Sequence, residues 1–344
     1  MVAAEDAPVG GWEGNFNRMT IVPLILILIV CLFMELSLST LAVGTVTSPE
    51  MMTGDFSYRQ SLINMVADSG LDHVFTADHV SFHNGTGMDG LINAATICAM
   101  HPTLRICIGV YLLALRHPVT VARQLATLSE SAPGRVILGV GIGGEDRHEI
   151  EVCGIDPRTR GRQTNDCLEI VRALMNGKSL SFKSDFFEFE NALITPPVEP
   201  AIPIMVGGRA DAAIRRAGLY SEGWLGAWCS ANRFAQAKAE VEEYAANANR
   251  ADVDWQHGLQ VWAGFDNDET RARSLIAEEM QEFYKVPYEA FEKYSPSGPP
   301  EKIAAFLKAY QEAGCTLFNI KPCAASEEKA IEAVARVREL LISN

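Results

Sequence analysis

Asp78 and His79 stand side by side just after a short β-rich run, Leu71 to Ala77. A histidine titrates near neutrality and can give up or accept a proton, and an adjacent carboxylate can orient its ring or raise its pKa. The pair is the leading candidate for proton transfer. A lone histidine after a strand more often packs or hydrogen-bonds, however, and His73, His83, His101, His117, His148 and His257 show that the residue is not rare here. Two glycine turns close other β-rich runs: Val140-Gly141-Ile142-Gly143-Gly144 and Ile204-Met205-Val206-Gly207-Gly208-Arg209-Ala210. Glycines let backbone amides approach an anion or a flavin-like ring without side-chain obstruction. A helix opening at Arg209 and Ala210 would offer free amides beside a guanidinium, which suits a phosphate. Neither turn has the spacing of a dinucleotide fingerprint, no Walker lysine follows, and tight strand-to-helix turns use glycine without any ligand. No serine elbow, HExxH or paired-carboxylate motif is present, which disfavours hydrolases. The eight cysteines show no CxxC and no zinc-like spacing with histidine, so no metal site is expected and the thiols suit a reducing cytoplasm.

These residues need a frame to bring them together. From Glu35 onward the chain alternates short β-rich runs with amphipathic helical stretches. Strands are expected at about 35–43, 71–77, 104–112, 135–141, 202–206, 222–228, 258–265 and 315–320, each followed by at least one helix. Residues 178–200, with four phenylalanines followed by three prolines, read as a loop or hairpin insertion, and 287–300 as a second irregular stretch. Eight strands alternating with helices imply parallel pairing through right-handed crossovers, and the length suits a closed α/β (β/α)8 TIM barrel with insertions better than a doubly wound sheet. In such a barrel function sits at the carboxyl edge of the strands. Asp78, His79, Arg116, His117, both glycine turns, Trp224 to Trp228 and Lys321 all fall there.

The charge balance is 29 Lys and Arg against 43 Asp and Glu, a formal −14, which repels polyphosphate backbones and anionic membrane surfaces. Nucleic acid and membrane partners are not expected. Residues 20–34 nevertheless form an almost unbroken apolar run, short of the roughly 20 residues a spanning helix needs unless Pro23 and Glu35 are taken inside. The segment before it is acidic, unlike a signal peptide. From Met34 the pattern changes to apolar–polar alternation. The expected division is therefore an apolar extension at 1–33, outside the barrel, and a barrel domain at 34–344. A packed hydrophobic segment and a membrane anchor are the other readings of the run.

Four stretches together resemble the bacterial luciferase-like superfamily of flavin-dependent monooxygenases and deazaflavin-dependent oxidoreductases. They are Gly70-Leu-Asp-His-Val-Phe-Thr-Ala-Asp-His-Val, Leu115-Arg-His-Pro-Val with Ala122-Arg-Gln-Leu-Ala-Thr-Leu, Gly134-Arg-Val-Ile-Leu-Gly-Val-Gly-Ile-Gly-Gly, and Pro203-Ile-Met-Val-Gly-Gly with Glu222-Gly-Trp. The likeness runs from about Leu36 to the C-terminus, and Arg160-Gly161-Arg162 fits it too. It implies a luciferase-like barrel that holds coenzyme F420 or reduced FMN at the strands' carboxyl end, in a cytoplasmic enzyme acting on a small-molecule substrate; members are often homodimers. In the deazaflavin branch an Asp-His pair after the second strand sits by the redox ring with the histidine as proton donor, which carries over to Asp78 and His79. Cofactor contacts carry over to Asp78, Gly141, Ile142, Gly143, Gly207, Gly208, Arg209 and Ala210. The Thr76 to His79 and Arg116 to Val119 segments read closer to the F420 group. A reduced-FMN monooxygenase, incorporating or reducing molecular oxygen, is the alternative; there the 178–200 insertion, Trp224 and Trp228 would act as a lid, if they are not simply core. A non-catalytic flavin-binding protein is a further alternative. One departure matters: sugar-phosphate dehydrogenases of the branch place a basic glutamate directly after the strand-four glycines. Here Gly144 holds that place and Glu145 follows, so sugar-phosphate oxidation is not expected.

Overall fold

The computed structural model describes residues 40–343 apart from Asn84 and Glu145. The apolar run and the first residues of the barrel domain lie outside that range. Eight parallel strands form the frame: β1 (Ala42–Val46), β2 (His73–Thr76), β3 (Arg105–Leu112), β4 (Val136–Gly141), β5 (Ile204–Gly207), β6 (Gly223–Ala227), β7 (Gly258–Phe265) and β8 (Leu317–Cys323). Each pairs with its neighbours in chain order, and β8 pairs with β1, so the sheet closes. A two-residue strand, Ser297–Gly298, adds to β7 outside the ring.

The strands are buried on both faces, as parallel strands covered by helices must be; every residue of β4 is buried. One face fills the barrel with Phe75, Cys107, Ile137, Met205, Leu225 and Leu317. The other meets the helices through residues such as Ile106, Ile108, Leu138 and Phe318. Gly44 of β1 leaves room for the His73 ring to lie across it, with His73 Nε2 2.7 Å from Asn319 Oδ1. Helix starts are set by side-chain caps: Asp55, Asp89, Ser230, Asp268 and Ser326 each accept from an amide in the first turn.

The described part of the first strand begins at Ala42, later than the expected 35–43. The alternation from Met34 suggested a half-buried strand, whereas the barrel takes the run Ala-Val-Gly-Thr-Val, buried along most of its length. The eighth strand extends to Cys323, so Lys321 lies within it. The 178–200 insertion is a hairpin, Leu180–Lys183 with Glu188–Ala192. Its tip packs on helix starts, Phe187 against His117 at 5.5 Å between ring centroids and Asp185 on Arg162 at 3.2 Å. A second hairpin, His79–Phe82 with Thr86–Met88, was not expected, and the helical turn expected from Glu145 and Asp146 is the short helix Arg147–Val152. Both shape the site.

Candidate active site

The chain leaves β2 through Asp78 and turns into the hairpin that begins at His79. Successive residues of extended chain point to opposite sides, and these two separate accordingly. Asp78 turns inward and is 1% exposed. It accepts from the amides of Gly90 and Leu112, each at 2.9 Å, and receives both guanidinium nitrogens of Arg116, at 2.5 and 2.8 Å. Arg116 also reaches Asp89 at 3.0 Å. Burial pushes the Asp78 carboxyl upward in pKa, against the Arg116 charge and the two amides, which favour the anion. Asp78 thus joins the loops after β2 and β3.

His79 meets a different carboxylate. Its Nδ1 lies 3.1 Å from Glu149 Oε2, while Glu149 Oε1 accepts from the amides of Val80 and Ser81 at 2.7 and 3.2 Å. Glu149 is 2% exposed. The sequence-based idea that the adjacent Asp78 orients the histidine is therefore corrected: the orienting group comes from the short helix after β4. Its one local cue is Asp146 followed three residues later by Glu149, the spacing of a capping box. Asp146 does cap that helix through His148 N at 2.9 Å and also holds His83 N at 2.7 Å, but Glu149 turns to His79 instead of back to its own cap.

Rings continue the wall from His79. Phe82 stacks near it at 4.1 Å, Phe283 lies 5.3 Å from Phe82, Trp262 5.9 Å from Phe283, Tyr284 5.7 Å from Trp262 and Trp228 5.0 Å from Tyr284. Lys321 sits over the Trp262 ring at 5.2 Å and pairs with Glu279 at 2.6 Å. Trp224 is core: it is buried and its Nε1 donates to Gly208 O at 2.7 Å, tying down the β5 turn. The hairpin at 180–192 contributes none of these rings.

The glycine turns lie on β4 and β5. A side chain at Gly141 or Gly207 would collide with Val110, which follows a cis peptide after Gly109 and lies across both strands. The Gly207 approach would be 2.9 Å to Val110 Cγ1. Gly143 and Gly208 adopt φ of 68° and 129°, conformations that favour glycine. Ile142 is half-buried between Gly141 and Gly143. Arg160 lies against Gly144, its Nη2 within 3.6 Å of where a Cβ would stand. Beyond Gly208, Arg209 lies over Trp228 at 5.4 Å. Ala210 is the N-cap of the helix Asp211–Tyr220, and no side chain caps the first amides. Glu145 lies outside the described residues.

Residues 34–317 match the family model of luciferase-like monooxygenases. The chain belongs to the luciferase-like monooxygenase family. An F420-dependent glucose-6-phosphate dehydrogenase of Kineococcus radiotolerans is 25% identical over 282 residues, covering 72% of this chain and 82% of that protein. An uncharacterized Mycobacterium tuberculosis protein is 35% identical over 138 residues, 40% of this chain; the match spans about half of that relative, 47%. Among solved structures, an F420-dependent secondary alcohol dehydrogenase bound to an F420–acetone adduct superposes with a TM-score of 0.77 at 19% identity, over 88% of this chain and 99% of that one. A monooxygenase of Streptomyces bottropensis gives 0.72 at 18%, over 88% and 99%. These likenesses show that the luciferase-like barrel is shared. Among the described residues, no group of three or more His, Cys, Asp or Glu is arranged to hold a metal ion, and no helix is long and apolar enough to cross a membrane.

Proposed function

We propose that this luciferase-like protein is an oxidoreductase that uses coenzyme F420 to move a hydride to or from a small organic substrate, with His79 handling the accompanying proton. What carries the reading is His79 held through Nδ1 by Glu149, which leaves Nε2 for a substrate oxygen. The relatives named as F420-dependent support the cofactor choice.

The residues present suit a flat ring with an anionic tail. Val110 over the glycines of β4 and β5 would make an apolar seat, His79 and the aromatic wall come from the same carboxyl end of the strands, and the helix start at Ala210 with Arg209 would give positive potential for phosphate. Gly141, Ile142, Gly143, Gly207 and Gly208 supply backbone edges, and Asp78 fixes the loop that carries His79. The cofactor supplies hydride acceptance and donation. In oxidation of an alcohol to a carbonyl, His79 Nε2 would take the hydroxyl proton as the bound cofactor accounts for the hydride. In reduction the protonated His79 would return that proton to the carbonyl oxygen. A reduced-FMN monooxygenase is the second reading, favoured by the ring wall from Phe82 to Trp228, which would keep water from oxygen chemistry.

Titration of the purified protein with F420 and with reduced FMN, followed by absorbance and thermal unfolding, tests the reading. A ligand at 100 times its Kd adds about 2.7 kcal/mol of stability. Binding of F420 with His79→Ala turnover reduced by about 100-fold or more is expected. Binding of neither cofactor sinks the proposal; binding without turnover across alcohols and carbonyls would make this a storage protein.

A further inference from the structure

A carboxylate only accepts hydrogen bonds, so a neutral His79 facing Glu149 through Nδ1 must carry its proton there. The carboxylate has no freedom to turn away. Its Oε1 is held by the Val80 and Ser81 amides at 2.7 and 3.2 Å, and its Oε2 is left to the ring. Both groups are enclosed, with side-chain exposures of 15% for His79 and 3% for Glu149. The Phe82 ring, 4.1 Å from the imidazole and tilted 30°, limits rotation of the ring about its own bond. The anchoring amides belong to the two residues after His79, so the histidine and the device that orients it form one small unit.

We infer that Glu149 is a positioning residue that selects the Nδ1–H tautomer of His79, so that the neutral ring offers Nε2 as an acceptor and never as a donor. This rests on the proposed role of His79 and deepens it. The ring then takes a proton from a substrate hydroxyl without rearrangement, and donates only after it has become an imidazolium. The substrate class that fits the neutral enzyme is one bearing an ionisable O–H at the reacting carbon, an alcohol or a hydrated carbonyl. A ketone meets the same ring productively only once it is protonated.

Replacement by glutamine distinguishes this from a merely structural contact. The two amides still require an acceptor, so in Glu149→Gln the side-chain oxygen stays on Val80 and Ser81 and the NH2 group is turned toward His79. Nδ1 must then accept, and the proton moves to Nε2. Nitrogen-15 NMR of histidine-labelled protein, with the His79 signals identified by their loss in His79→Ala, reads this directly and needs neither cofactor nor substrate. Wild-type protein at pH 8 is expected to show a protonated Nδ1 and a bare Nε2, and Glu149→Gln the reverse. In the oxidation assay kcat should fall by about 100-fold or more with KM changed less than about threefold. A wild-type ring protonated on Nε2 overturns the inference without any variant, as does an unchanged tautomer in a folded Glu149→Gln protein. If the tautomer inverts but alcohol turnover is unaffected, the role of Glu149 in positioning the proton acceptor is refuted. Loss of cofactor binding by the wild type would refute the proposed function while leaving the tautomer result standing.

Discussion

Asp78 and His79 adjoin in sequence and have unrelated partners, a difference no local pattern could reveal. Asp78 is matched to Arg116, a partner 38 residues away, and its removal leaves a largely buried guanidinium with only the more exposed Asp89 as counter-charge. Breaking a buried pair on one side costs roughly 3–5 kcal/mol. Asp78→Ala is therefore expected to lose that much in urea unfolding; a loss below 1 kcal/mol would mean the loops are joined by other contacts. His73 makes a separate prediction. Burial drives its pKa from the ordinary 6.5 to about 4, against the Asn319 hydrogen bond that favours the charged ring. The folded protein thus resists protonation where the unfolded chain accepts it. The contribution is fully present above the unfolded value of 6.5 and is lost as pH falls toward 4, on the order of 3 kcal/mol in all. Unfolding free energies across that range should drop more for wild type than for His73→Gln.

At the scale of elements, hydrophobic runs bounded by glycine and proline placed most strands and helices within a few residues, because a strand buried on both faces has a strong compositional signature. The helix Pro118–Ser131 follows from Pro118 at its first turn and an apolar face. What escaped was long-range or short. His79–Phe82 looks like loop in a stretch with Asn84, Gly85 and Gly87, and its pairing with Thr86–Met88 depends on the turn closing. Glu149 could not be matched to His79 because nothing within the six-residue helix points across the barrel mouth. The glycines of β4 and β5 were readable as special, but their immediate reason is Val110, contributed by β3. Adding a methyl at Gly207 should cost about 1–3 kcal/mol through overpacking. Val110→Ala in the same chain should return part of that cost, as coupled neighbours do. Strict additivity in thermal unfolding would remove Val110 as the cause.

For the whole molecule, closure of the ring by β8 on β1 brings loops from distant parts of the chain to one end. Element order therefore reveals the fold, whereas the site depends on contacts between loops far apart in the chain. The family match begins at Met34, where the apolar run ends. We expect a chain shortened to Met34–Asn344 to unfold at the same temperature and bind cofactor with the same affinity as the full chain; a lower midpoint would make residues 1–33 part of the barrel's packing. The Asp78 knot has a mechanical consequence. By fastening Gly90, Leu112 and Arg116 to one carboxylate, it makes the loops after β2 and β3 a single stiff block that carries His79. Any widening of the mouth for substrate would then fall to the segment after Tyr284, where the helix Glu269–Tyr284 ends and the chain runs on through short 3₁₀ turns at Tyr288–Ala290 and Glu292–Tyr294. His79 is then expected to keep its place while that segment yields, and exchange of the Gly90 and Leu112 amides with solvent should be among the slowest around the mouth.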